Sequence, residues 1–130
     1  MFTRQQIEAA HAKVKSGADF PKLVKELRQM GVMSYEHFVS EGSNVFYGDD
    51  DYSVSIQMNK EAVAVANSSS TEKLTAVLHD HRQGQTDYHT FCVEAGKAGV
   101  QKWVIDMGDM TATYLDKTGA ALLTEPIPKA

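Results

Sequence analysis

Between His79 and Trp103 the chain gathers the residue types that could do chemistry. Three of its five histidines (His79, His81 and His89), its one cysteine (Cys92) and its one tryptophan lie there. A cysteine beside an imidazole is the minimum for thiol chemistry, because the thiolate is the nucleophile and a base must generate it. Cys92 and His89 stand three residues apart, so on a helix they share a face and form the candidate catalytic pair. The competing reading is packing. Cys92 continues an apolar stripe of Tyr88, Phe91 and Ala95, and free cysteine is among the most buried residue types. A metal site is disfavoured, since residues two apart on a helix point about 200° away from each other, which separates His79 from His81. No metal or cofactor is therefore expected. Asp106 is a third candidate, a carboxylate that could line a cleft beside Lys102 or Tyr114. His81 and His11 sit on apolar stripes, as core histidines held through a ring nitrogen do.

These residues must be positioned by helices and strands whose signals are clear. Thr3 and Gln6 fit a capping box, and Ile7, Ala10, His11 and Val14 fall on one helical face, predicting a helix over about 4–16 that Gly17 stops. Asp19 is the expected cap of a second helix, with Phe20, Leu23, Val24 and Leu27 inward and Gly31 at its end. Strands follow around 32–39, 45–47 and 52–57, and Ala62–Ala66 offers one more. Asp49–Asp51 reads as a charged turn, because the alternating ligands and closing glutamate of a calcium loop are missing.

The pattern then recurs. Ser69 and Glu72 suggest a capping box, Leu74, Val77, Leu78 and His81 form a stripe, and Gly84 ends it. Asp87 caps a fourth helix that Gly99 closes. Strands are expected over 100–107, 110–116 and 120–127, with a two-residue turn at Gly108-Asp109. At an offset of 68, Leu23 meets Phe91, Val24 meets Cys92 and Tyr35 meets Trp103. The expected fold is α+β: a single domain, 1–130, with two αα-hairpins packed on one antiparallel sheet of about six or seven strands. An internal αα-βββ duplication would give pseudo-repeats of about 3–57 and 70–127.

Three stretches resemble a known family: Gly84-Gln-Thr-Asp-Tyr-His-Thr-Phe-Cys, Gly99-Val-Gln-Lys-Trp-Val-Ile-Asp and Met110-Thr-Ala-Thr-Tyr-Leu-Asp. Gly17-Ala-Asp-Phe-Pro and Gly31-Val-Met-Ser-Tyr add to the likeness. The family is an uncharacterised bacterial, often prophage-associated, domain of unknown function, some of whose members are labelled "phage envelope protein". The resemblance implies a compact α+β domain and brings no activity, cofactor or catalytic residue with it.

Composition narrows the function classes. The net charge is −4 and no basic run exists to neutralise phosphates, so a nucleic-acid partner is disfavoured. No apolar run approaches the roughly 20 residues of a membrane span. One cysteine excludes an internal disulfide. A cytoplasmic protein is expected. The function that sequence supports is a small non-enzymatic binding or protein-interaction protein, prophage- or host-regulatory, with an unknown protein partner or a second copy of itself. Strand aromatics Tyr35, Trp103 and Tyr114 are its candidate binding surface. The alternative is a small enzyme or thiol-dependent protein using Cys92 with His89.

Overall fold

The structure is a computed structural model that describes residues 1–15, 17–58 and 61–129. Four helices, α1 (Arg4–Ala12), α2 (Phe20–Gln29), α3 (Thr71–Arg82) and α4 (Tyr88–Lys97), accompany six strands. These are β1 (Ser34–Phe38), β2 (Ser43–Tyr47), β3 (Ser53–Gln57), β4 (Lys102–Asp106), β5 (Thr111–Leu115) and β6 (Ala121–Pro126). All pair antiparallel in one sheet, in the order β3-β2-β1-β4-β5-β6. The chain is thus α+β, and each half contributes one three-stranded meander.

The two meanders meet at β1 and β4. Glu36 lies opposite Val104, Tyr35 opposite Ile105 and His37 opposite Trp103. Ser34 faces Tyr47 across the β1–β2 ladder, and Lys102 faces Leu115 across β4–β5. Adding 68 to the first pair gives the second. The same offset turns Tyr47–Ser53 into Leu115–Ala121, after which a bulge between Tyr114 and Leu115 moves the β5–β6 register by one.

Strand alternation sorts the sheet into two faces. Tyr35, His37, Asn44, Phe46, Ile56, Trp103, Ile105, Ala112 and Tyr114 are buried on one, in a core shared with Ile7, Leu23, Val24, Leu27, Leu74, Leu78 and Phe91 from the helices. Each such apolar side chain contributes roughly 1.5–3 kcal/mol on leaving water. The other face, with Glu36, Val45, Val104 and Thr113, is only half-buried.

Capping explains most helix starts. Thr3 and Gln6 form the reciprocal capping box, and Asp87 accepts from the Thr90 amide at 2.7 Å. Two expected caps move. Ser70, not Ser69, caps α3 by accepting from Lys73. Asp19 makes no cap bond to α2, because it closes a 3-10 turn (Gly17–Asp19) in helical backbone geometry and accepts instead from the Lys15 amide at 2.8 Å. Ala62–Ala66 forms no strand. It passes beside α4, where the Ala66 amide donates to the Gly96 carbonyl. The Gly108-Asp109 turn widens to a four-residue loop over 107–110, with Met110 at φ 55°.

Two glycines are required by contact. Helix α1 ends at Ala12, four residues before the expected stop, so Gly17 ends no helix. It lies against α3, where a Cβ would sit 2.5 Å from the His81 carbonyl oxygen. At Gly96 a Cβ would approach the Ala64 carbonyl oxygen to 2.3 Å. Gly96→Ala must therefore push the crossing segment off α4. Urea unfolding should show a loss of about 1–3 kcal/mol with little change in m, the usual cost of overpacking. An unchanged midpoint would mean that the crossing is not tightly held.

Candidate functional site

The fold places Cys92 and His89 apart in role. His89 is half-exposed and its Nε2 lies 3.6 Å from Glu61 Oε2. The imidazole beside Cys92 is His37 on β1, with Nε2 at 3.7 Å from Sγ. His37 is fully buried, stacked on Trp103 with ring centroids 4.3 Å apart, and its Nδ1 lies 2.5 Å from Asn44 Oδ1. The Tyr88 hydroxyl stands 3.2 Å from the same Nδ1. A Cys–His–Asn series thus spans α4, β1 and β2, in the connectivity of thiol hydrolases.

Its chemistry is set by desolvation. Burial drives the His37 pKa down to about 4, outweighing the bond to Asn44 that raises it. The ring is neutral at pH 7, so a thiolate–imidazolium pair would require two charges in a dry core. The arrangement is instead satisfied by a neutral chain. Nδ1–H donates to Asn44, which leaves Nε2 to accept from the Cys92 thiol. The Tyr88 oxygen takes a share of Nδ1–H, and its own proton is free for the Cys92 sulfur. Tyr88 spans two environments: 38% of the residue is exposed, yet its hydroxyl end is deep enough for burial to raise its pKa well above the ordinary tyrosine value.

Asp106 is engaged by the loop that follows it. Its Oδ1 accepts from the Gly108 and Asp109 amides at 2.8 and 3.0 Å, so its task is turning the chain from β4 to β5. His81 stacks on Phe91 and bonds Thr86 through Nδ1, while His11 bonds the Ile7 carbonyl. Burial lowers both pKa values, so both rings are neutral near pH 7. Among the described residues no three metal-ligating side chains come together.

The aromatic residues mark the larger feature. Tyr35, Trp103 and Tyr114 lie on the covered face of the sheet, each at most 5% exposed, and line a cavity of about 420 Å³. Asn44, Ile105 and Ala112 complete its sheet side; His11, Phe20, Leu23, Leu78, Tyr88 and Phe91 supply its helical side. Most of the wall is apolar or aromatic. Arg82 and Glu125 also border it, joined as an ion pair between α3 and β6, with Tyr114 bonded to Arg82. The polar groups in the wall that lack a protein hydrogen-bond partner among the described residues include the Tyr35 hydroxyl and the Asn44 side-chain amide hydrogens. Burial raises the Tyr35 pKa, and the neighbouring Tyr114 phenol raises it further.

Sequence reasoning missed His37 and Asn44. The available signal was strand alternation: both share a face with Tyr35 and Phe46 and so must be buried polar groups.

The family described as "protein of unknown function (DUF1398)" matches residues 8–126. Curated relatives include uncharacterised proteins of Mycobacterium bovis and Mycobacterium tuberculosis, each 26% identical over 98 residues, or 73% of this chain. The alignment spans 58% of their length.

Two measurements follow from this geometry. Cys92 should resist a thiol reagent at neutral pH until denaturant is added; rapid labelling of the native protein would overturn the neutral-chain account. Stability should also fall with acid in a defined window. Above about pH 6.5 His37 is neutral both folded and unfolded and contributes nothing. As pH drops from about 6.5 to 4 only the unfolded chain gains this proton, so stability is lost, by about 3 kcal/mol, and the loss stops growing below the folded value. Unfolding free energies at pH 7 and 4.5 check this: His37→Gln should be less stable at pH 7 but show a smaller acid drop. An undiminished drop would mean that His37 is not the group responsible.

Proposed function

The chain belongs to the DUF1398 family of proteins of unknown function, and from that premise we propose that it is a non-enzymatic binding protein whose site is the partly open cavity between the helices and the sheet. One observation carries the reading. A partly open cavity of about 420 Å³ lies between the helices and the sheet, with a buried tyrosine hydroxyl left without a protein partner among the described residues in its wall. Ordinary small-molecule sites are mostly apolar clefts of roughly 300–1,000 Å³ with a few convergent polar groups, and this cavity falls in that range. Covering apolar wall area is worth roughly 25 cal/mol per Å², and a net hydrogen bond roughly 0.5–1.5 kcal/mol. A ligand seated against the apolar wall and bonded to this hydroxyl gains from both.

The duplication supports the location. We read the chain as two αα-βββ repeats related by an approximate two-fold axis through the Glu36–Val104 pair, because at an offset of 68 the β1–β2 ladder repeats as β4–β5 and the β1–β4 ladder maps onto itself. The cavity then lies where the repeats meet, with Tyr35 and Phe20 from the first and Trp103 and Tyr88 from the second. Prophage or host regulation, in the cytoplasm, is the role we assign to such a ligand-responsive domain. Among the described residues no helix is long and apolar enough to cross a membrane.

Naphthalene, a neutral apolar bicycle, is a suitable probe, since an engineered cavity of about 150 Å³ already holds benzene. It should bind saturably and raise the melting temperature as ligand linkage requires. Ala112→Phe, which projects a ring into the cavity, should abolish the shift while far-UV circular dichroism stays native. Absence of saturable binding, or binding unaffected in a folded Ala112→Phe protein, would refute the cavity as the site.

A further inference from the structure

Resting on the cavity as the binding site, we infer that its ligand is an uncharged, flat, largely apolar molecule carrying one carbonyl oxygen, held by the Asn44 amide and the Tyr35 hydroxyl.

The polar end is identified by what the wall offers. Asn44 is 1% exposed and lines the cavity. Its Oδ1 is engaged by His37 Nδ1–H, and that bond fixes which way the amide faces. Its two N–H donors are therefore turned away from His37, and no protein acceptor among the described residues takes them. The Tyr35 hydroxyl, one strand away and diagonal across the β1–β2 ladder, is also unpartnered. Two donors of this kind suit an acceptor with two lone pairs, as a ketone, ester or amide oxygen has. His37 is thus a positioning residue for Asn44, not a group that meets the ligand.

Charge balance selects the neutral form. Burial keeps His11 and His81 uncharged near neutral pH. Arg82, the cation in the wall, is matched by Glu125 and bonded to Tyr114. An anion would have to break that ion pair or remain uncompensated in an apolar space, and a cation finds only Glu125, already engaged. The flat apolar body follows from Phe20, Phe91, Trp103 and Tyr114, whose rings favour stacked or edge contacts.

The test compares four probes of one shape with the full chain at pH 7, followed by NMR titration: 2-naphthamide, 2-ethylnaphthalene, 2-naphthoate and the 2-naphthylmethylammonium cation. The amide should bind about tenfold more tightly than the hydrocarbon and than either ion, a ratio that one or two net hydrogen bonds supply. Tyr35→Phe, which keeps the ring, should remove most of the amide's advantage and leave 2-ethylnaphthalene unchanged. Asn44→Leu provides the second comparison if it folds. Should the hydrocarbon match the amide, or an ion exceed it, or Tyr35→Phe leave the preference intact, the ligand class is overturned while the cavity remains a binding site. Failure of all four probes would overturn both readings together.

Discussion

The two meanders have a pair of helices between them in the chain, and they become one sheet only through the β1–β4 ladder. Its five residue pairs join positions 64 to 72 apart, so chain entropy is spent before any side chain is rewarded. The reward is the row it creates. Tyr35 beside Ile105 and His37 beside Trp103 make a continuous aromatic floor from strands that could not bury those groups alone. Every other feature follows from that floor: the helices have one face to cover, and the cavity lies where they cover it incompletely. The segment over 61–70 is tied down beside α4 through Gly96, which holds the second helix pair over the joined sheet.

Much of this was legible because local signals and tertiary demands agree. Helical stripes such as Leu23, Val24 and Leu27, and the caps Thr3 and Asp87, are dictated by residues within one turn of each other. Failures arose where a distant contact decides the local structure. Asp19 reads as a cap, but the chain at Gly17 must lie on the His81 carbonyl, and that docking leaves Asp19 inside a tight turn. Asp106 reads as a functional carboxylate, and its nearest need proved to be two loop amides. Ala62–Ala66 has strand composition, but its hydrogen bonds go to α4 and the β1–β2 turn region instead. For the site, the aromatics were visible as a group but not their enclosure. The partner of Cys92 was invisible, because nothing in sequence links residue 92 to residue 37.

The buried polar chain through Asn44, His37, Cys92 and Tyr88 has a structural logic of its own. Apolar residues could fill the same volume at lower risk, since a half-satisfied network in a dry core is worse than none. The chain is complete at His37, whose two ring nitrogens are both engaged, and incomplete at Asn44, whose free side borders the cavity. That free side adds buried donors to a wall that is mostly apolar. The neutral imidazole lets it be so without placing a charge under the helices.

Trp103 is the single tryptophan, and its ring is at once a wall of the cavity and the stacking partner of His37. The molecule therefore carries one indole fluorophore, seated where occupancy and imidazole charge would both be felt. Its emission is unmixed with that of any other indole of the chain, so spectra of the purified, unmodified protein report on one place.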